Sequence, residues 1–249
     1  MKKKSNKLST RQIVIIGILG AITVVLGMTP LGFVPIGPLN ATTMHIPVLI
    51  AAFIEGPVVG AFVGLIFGLS SLFNAITRPT PISFVFYNPL ISIAPRILLG
   101  LIAYVLFATF KRIDGKRLKV LGMVAWVAVI AFLIAGIVKN MSAGETGPGF
   151  FLNIAFLLLS LGLLYLLFRS EAKSSAVVLA SFLATVIHSA MVMTGIYVFF
   201  AERFVEAMGA SQELVNTVIF GTIVTSGVPE GIIATIVSTG VVSAWYAKK

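Results

Sequence analysis

Apolar runs about twenty residues long recur from one end of this chain to the other, and nothing constrains its fold more. Residues 12–28 carry no charged side chain, and comparable runs follow as far as residue 246. A helix needs about 20 residues to cross a hydrocarbon core about 30 Å thick. Lipid offers no hydrogen-bond partners, so such runs must be helices that satisfy their own backbone. With 58% hydrophobic and 10% charged residues among 249, the chain reads as an all-α, polytopic helical membrane protein. It has room for about eight spans, in one integral membrane domain over 1–249.

The net charge of +10 would suit a nucleic-acid partner, but its placement argues for a membrane and no nucleic acid. Lys2, Lys3, Lys4, Lys7 and Arg11 precede the first run; Lys111, Arg112, Lys116, Arg117 and Lys119 fill one connection; Arg169 and Lys173 another; Lys248 and Lys249 close the chain. The positive-inside rule puts these 14 of 18 basic residues in the cytoplasm. Both termini of a multi-pass cell-membrane protein are therefore expected inside, with 1–11 as a cytoplasmic basic tail. Opposite connections hold only Arg78, Lys139 and Arg203, against Glu145, Glu202, Glu206 and Glu213. The first run is read as retained, because no A-x-A-like cleavage site follows it. No cysteine is present, which excludes disulfides and thiol catalysis, and two histidines argue against a zinc site. No cofactor or metal is expected.

Hydropathy and charge place spans at about 12–28, 45–55, 58–75, 89–110, 120–138, 151–168, 174–200 and 215–246. The second is about a third too short, so it is expected to tilt or to be continued by Asn40–Met44. Before it lies the one stretch that cannot be a continuous helix, residues 29–47, where Pro30, Gly32, Pro35, Gly37 and Pro38 break the ladder. It must sit in the headgroup zone or line a cavity.

Gly56, Gly60, Gly64 and Gly68 recur every fourth residue, a spacing that brings helix backbones together, and Gly17 with Ala21 makes a second small face for internal packing or for another subunit. Arg96, inside the fourth span, costs about 3 kcal/mol or more unless it is paired or faces water. It marks either a solute site or an ion pair with Glu230. Pro89 and Pro95 are expected to free backbone carbonyls beside it. His45 and His188 need polar partners, and for His188 these are Ser189, Thr185 or Thr194. Glu55 reads as a cytoplasmic cap. Thr222, Thr225, Ser226, Gly227, Pro229 and Glu230 are expected to interrupt the last span and present backbone groups.

The run NATTMHIPVLIAAFIEGPVVGAFVGLIFGLSS, with TPISFVFYNPL, PRILLGLIAYVL, TGIYVFFAERF and SGVPEGIIATIV, resembles the substrate-binding S components of energy-coupling factor (ECF) vitamin transporters, within them the pantothenate-specific branch. The resemblance covers 10–110 and 176–245. It implies a six-helix core that captures a vitamin from outside and docks on a membrane coupling (T) subunit with two cytoplasmic ATPase subunits. It implies that Gly17 and Ala21 contact that coupling subunit, and that the loop after the first span gates the site. Residues 119–173 then read as an inserted two-helix hairpin. Pantothenate, a monoanion with hydroxyls and an amide, suits a pocket in which Arg96 pairs its carboxylate. Asn40, Thr43, His45, Tyr87 and Asn88 would add hydrogen bonds, with His188 and Glu230 completing the set. Riboflavin or folate in a related S component, and a stand-alone secondary transporter, are the alternatives. An enzyme is not expected: no P-loop, HExxH or GxSxG occurs, and the one aspartate, Asp114, lies in a connection.

Overall fold

The computed structural model describes residues 8–36, 39–144, 146–169 and 172–248, with the backbone alone described at 33–36, 39–41 and 172–173. The 1–7 tail, Gly37, Pro38, Glu145, Lys249 and the side chains of Asn40 and Lys173 therefore lie outside it. Among the described residues, seven helical segments are long and apolar enough to cross a membrane, and one shorter apolar helix, Ile46–Glu55, accompanies them. The fold is all-helical and polytopic, apart from one small hairpin.

Helix α1 (Thr10–Met28) starts two residues earlier than the charge map implies. Ser9 and Gln12 form a reciprocal capping box that holds its first turn. Helix α2 (Ile46–Glu55) is only 10 residues long, about 15 Å. Its end is fixed beside the start of α1 by an ion pair between Arg11 and Glu55, so it stops well short of the other face. The missing half of the crossing is not helix. After a 3₁₀ turn at Pro30–Gly32, strands β1 (Phe33–Ile36) and β2 (Leu39–Thr42) pair antiparallel, Phe33 opposite Thr42. The hairpin satisfies its inward-facing backbone groups, and the outward-facing Thr42 amide is taken up by the Glu230 side chain, which is how an irregular stretch is tolerated at membrane depth. Its β2 end continues α2, as expected of Asn40–Met44, but in extended form.

Gly56, with φ of +99°, makes the reversal into α3 (Pro57–Thr77) that a side chain would strain. The glycine stripe then meets α5 (Ala94–Phe110). A Cβ on Gly60 would press on Ala52 and Gly100, one on Gly64 would overlap the Arg96 carbonyl, and one on Gly68 would overlap Ile93. The stripe is internal, and it brings α5 into backbone contact with α3.

The expected fourth span is split into α4 (Pro89–Ser92) and α5, with Ile93 between. Helix α6 (Gly115–Ser142) begins five residues earlier than expected because Asp114 caps it, accepting from the Lys116 and Arg117 amides. With α7 (Pro148–Arg169) it forms a hairpin packed on the flank of α8 (Ala172–Ala207) and α9 (Val215–Ala247), where Trp126 meets Phe182 edge-on at 5.0 Å. Helix α8 passes its expected end at residue 200, kinks at Phe200 and continues to Ala207, so half of the expected acidic loop is helical. Helix α9 is continuous, with Pro229 inside it; the expected interruption is not there.

The close α3–α5 contact leaves no room for a side chain. Gly64→Val is expected to lower stability by about 1–3 kcal/mol through overpacking, whereas Gly162→Ala, with nothing within 4 Å, is expected to be neutral; thermal unfolding in detergent would compare them.

Candidate functional site

Pro95 determines the site. An α-helical amide at position 95 would bond the Ile91 carbonyl four residues back, but proline has none. The chain breaks at Ile93, and the buried Arg96 side chain turns back so that its Nη1 donates to the Ile91 oxygen. The expectation of freed carbonyls beside Arg96 holds in this form. The guanidinium lies between the rings of Phe67 (5.3 Å) and Phe86 (5.5 Å), cation–π contacts that soften its burial. Its Nε has no partner, and among the described residues it makes no ion pair. The pair with Glu230 is not formed, and a buried cation is left with donors to spare.

Arg96 lines a cavity of about 250 Å³, far above the ~10–15 Å³ that admits one water. Helix α3 contributes Phe67, Ser71, Asn74 and Ala75; α8 contributes His188, Ser189, Val192, Met193 and Ile196; α9 contributes Thr222, Ser226 and Glu230. Thr42 and Met44 wall it from the hairpin side, and Arg78, Thr80, Ser83 and Phe86 stand at the connection after α3. Thr222, Ser226 and Glu230 succeed one another every fourth residue on an unbroken helix, so they reach the cavity as one face and not through a break. Likewise Gly64, Gly68, Ser71 and Ala75 lie on one face of α3: its inner part packs on α5 and its outer part lines the cavity.

His188 is buried at 3% exposure with neither ring nitrogen hydrogen-bonded. None of its expected partners serves it: Thr185 donates to Ser181 O and Ser189 to Glu230, while no bond from Thr194 reaches it. Its ring stacks 6.3 Å from that of His45 and lies 6.0 Å from Phe67. Glu230 accepts from the Thr42 amide at 2.7 Å and from Ser189 Oγ at 3.2 Å.

Of the residues singled out in the sequence, Arg96, His188 and Glu230 are brought together on the cavity. His45 caps α2 behind the wall without lining it. Thr43 donates to Leu31 O at 2.8 Å, Asn88 caps α4 through the Leu90 amide, and Tyr87 is 48% exposed; none of the three lines the cavity. The side chain of Asn40 lies outside the described residues. Sequence reasoning passed over Ser71, Asn74 and Arg78 as site residues, whereas Thr42 lies in the Asn40–His45 run of donors and acceptors. A strict extension of the four-residue glycine spacing lands on Leu72 and Ile76; only the alternating three- and four-residue helical repeat reaches Ser71 and Ala75. Glu55 is a cap in the expected sense, paired with Arg11.

Residues 11–144 match the family described as the ECF transporter substrate-specific component. The chain belongs to that family. Its members are transport components and not enzymes. The chain is 38% identical over 99 residues to the pantothenate transporter PanT of Leuconostoc mesenteroides, covering 39% of this chain and 48% of that one. It is 36% identical over 84 residues to the pantothenic acid transporter PanT of Lactococcus lactis, covering 28% and 43%. It thus spans about half the length of the curated relatives it matches.

Restoring the missing amide is expected to undo the site without undoing the fold. Pro95→Ala would let residue 95 bond Ile91 and release Arg96, so thermal unfolding should change little while affinity for the solute that the cavity takes falls tenfold or more; retained affinity would separate the break from the site.

Proposed function

We propose that this S component captures pantothenate from outside the cell and delivers it through a T subunit driven by two ATPase subunits. The observation that carries this is Arg96: a buried guanidinium that makes no ion pair among the described residues, in a largely apolar cavity whose polar lining also includes hydroxyls, an amide, an imidazole, the Glu230 carboxylate and Arg78. Such a site favours one carboxylate and several hydroxyl or amide groups. The names of the two relatives agree with that chemistry. Pantothenate would set its carboxylate on Arg96 and its hydroxyls and amide against His188 and Ser226, with Glu230 held beside them by Thr42 and Ser189. Asn40, Thr43, His45, Tyr87 and Asn88 would then act by shaping the walls.

The basic ends of the helices would face the cytoplasm, so the cavity lies in the outer half of the membrane, and residues 29–44 would gate it. Gly17 and Ala21 are exposed on α1 among Ile13, Val14, Ile18 and Ile22, with nothing within 4 Å of a Cβ on Gly17. This smooth outward stripe supports docking of the T subunit there. The α6–α7 hairpin, which fits the proposed insertion at 119–173, lends no residue to the cavity, so it leaves the solute assignment untouched.

Arg96→Lys keeps the charge but loses the planar fork. It is expected to weaken pantothenate binding by more than tenfold in calorimetry, whereas Tyr87→Phe changes it by less than twofold; unchanged affinity in Arg96→Lys removes Arg96 from the site. Ala21→Trp is expected to abolish copurification with the T subunit and ATPases while leaving vitamin binding intact. Pantothenate accumulation in liposomes by the purified chain alone would instead favour a stand-alone transporter.

A further inference from the structure

Glu230 was a candidate for direct contact with solute, yet both of its oxygens are already engaged by protein. Oε1 accepts the Thr42 amide at 2.7 Å and Oε2 accepts Ser189 Oγ at 3.2 Å. The Thr42 bond joins residues 188 positions apart and is the kind that decides where an irregular segment rests. Thr42 ends β2, and its amide points away from the strand ladder toward α9. Its hydroxyl accepts from the Met44 amide at 3.2 Å, while Thr43 is tied to Gly32 and Leu31. The segment Thr42–Met44 is therefore one braced unit. It is the cavity wall contributed from outside the helix bundle, and Glu230 fastens it to α8 and α9.

We infer that Glu230 is a positioning residue that latches the Thr42–Met44 wall over the cavity through the Thr42 amide, with Ser189 holding the carboxylate in line. A carboxylate suits this task. Each oxygen takes a donor with lone pairs remaining, and a charged acceptor makes a bond about twice as strong as a neutral one. The bond lies about 24 Å along α9 from Tyr246, whose hydroxyl fixes the far end of α2 by donating to Phe53 O at 2.9 Å. Helix α2 is thus pinned to α9 at both ends, and only the Glu230 end borders the cavity. Breaking it frees the wall while the other end still holds the helix in place.

The latch rests on the cavity being the solute site, but its test needs no solute. The chain contains no cysteine, so Ala75→Cys places a single thiol at a buried position of the cavity wall, and its rate of labelling by a water-soluble maleimide reads how often the wall opens. Ser211→Cys, outside the cavity and exposed, controls for reagent and detergent. In solute-free protein, Glu230→Ala is expected to raise cavity labelling tenfold or more with the Ser211→Cys rate unchanged. Glu230→Gln, which can still accept from Thr42 and donate to Ser189, should stay within about threefold of the parent. Thr42→Pro removes the donor amide together with the hydroxyl that accepts from Met44, and Thr42→Val removes the hydroxyl alone; the first should match Glu230→Ala and the second the parent, which keeps the test open if Glu230→Ala folds poorly. Equal labelling in the parent and in either latch-breaking variant overturns the proposal, as does a Glu230→Gln rate equal to that of Glu230→Ala. Added pantothenate protecting the thiol in the parent tests the solute assignment separately.

Discussion

One missing amide organises this protein. Proline at 95 cannot bond the Ile91 carbonyl, and in a membrane that carbonyl has no water to turn to. The Arg96 side chain answers it, which places a guanidinium in the bundle interior with most of its donors unspent. A carbonyl and an arginine that would each be costly alone offset one another. What is left over is a cation that makes no ion pair among the described residues, and on the proposed reading the architecture around it holds an anion.

Two further constraints bring the holder together. The α3 stripe lets α5 approach until backbones touch, so Arg96 sits within reach of Phe67 and of the polar outer half of α3. The short α2 leaves half a crossing to be completed by extended chain. That chain must be braced by side chains from elsewhere, and the Glu230 carboxylate on α9 does this. The same device recurs at both levels: irregular backbone at membrane depth is matched by a charged side chain from a neighbouring helix.

Much of the architecture was legible in the sequence because lipid leaves so few options. Length and apolarity alone located seven of the helices, and the prolines located the hairpin stretch. Boundaries were missed where local chemistry extends a helix beyond its apolar run, as with the Ser9 box, the Asp114 cap and the turns after Phe200. Pro229 misled in the opposite direction: a proline inside a long, well-packed helix need not end it. At the site, buried charge in a hydrophobic run was a sufficient signal for Arg96 and Glu230. Thr43, Tyr87 and Asn88 lay in the right neighbourhood of sequence, but a backbone contact took Thr43, capping took Asn88, and Tyr87 is turned outward at 48% exposure. Ser71 and Ser189 carry no such signal alone and become visible only when their helix faces are known.

The central claim is that the spare donors of Arg96 hold a small organic anion. Mass spectrometry of the small molecule released by denaturing the freshly purified protein tests it most directly. The account predicts pantothenate at close to one equivalent, lost in Arg96→Lys. A neutral heterocycle in its place, retained by that variant, would contradict it.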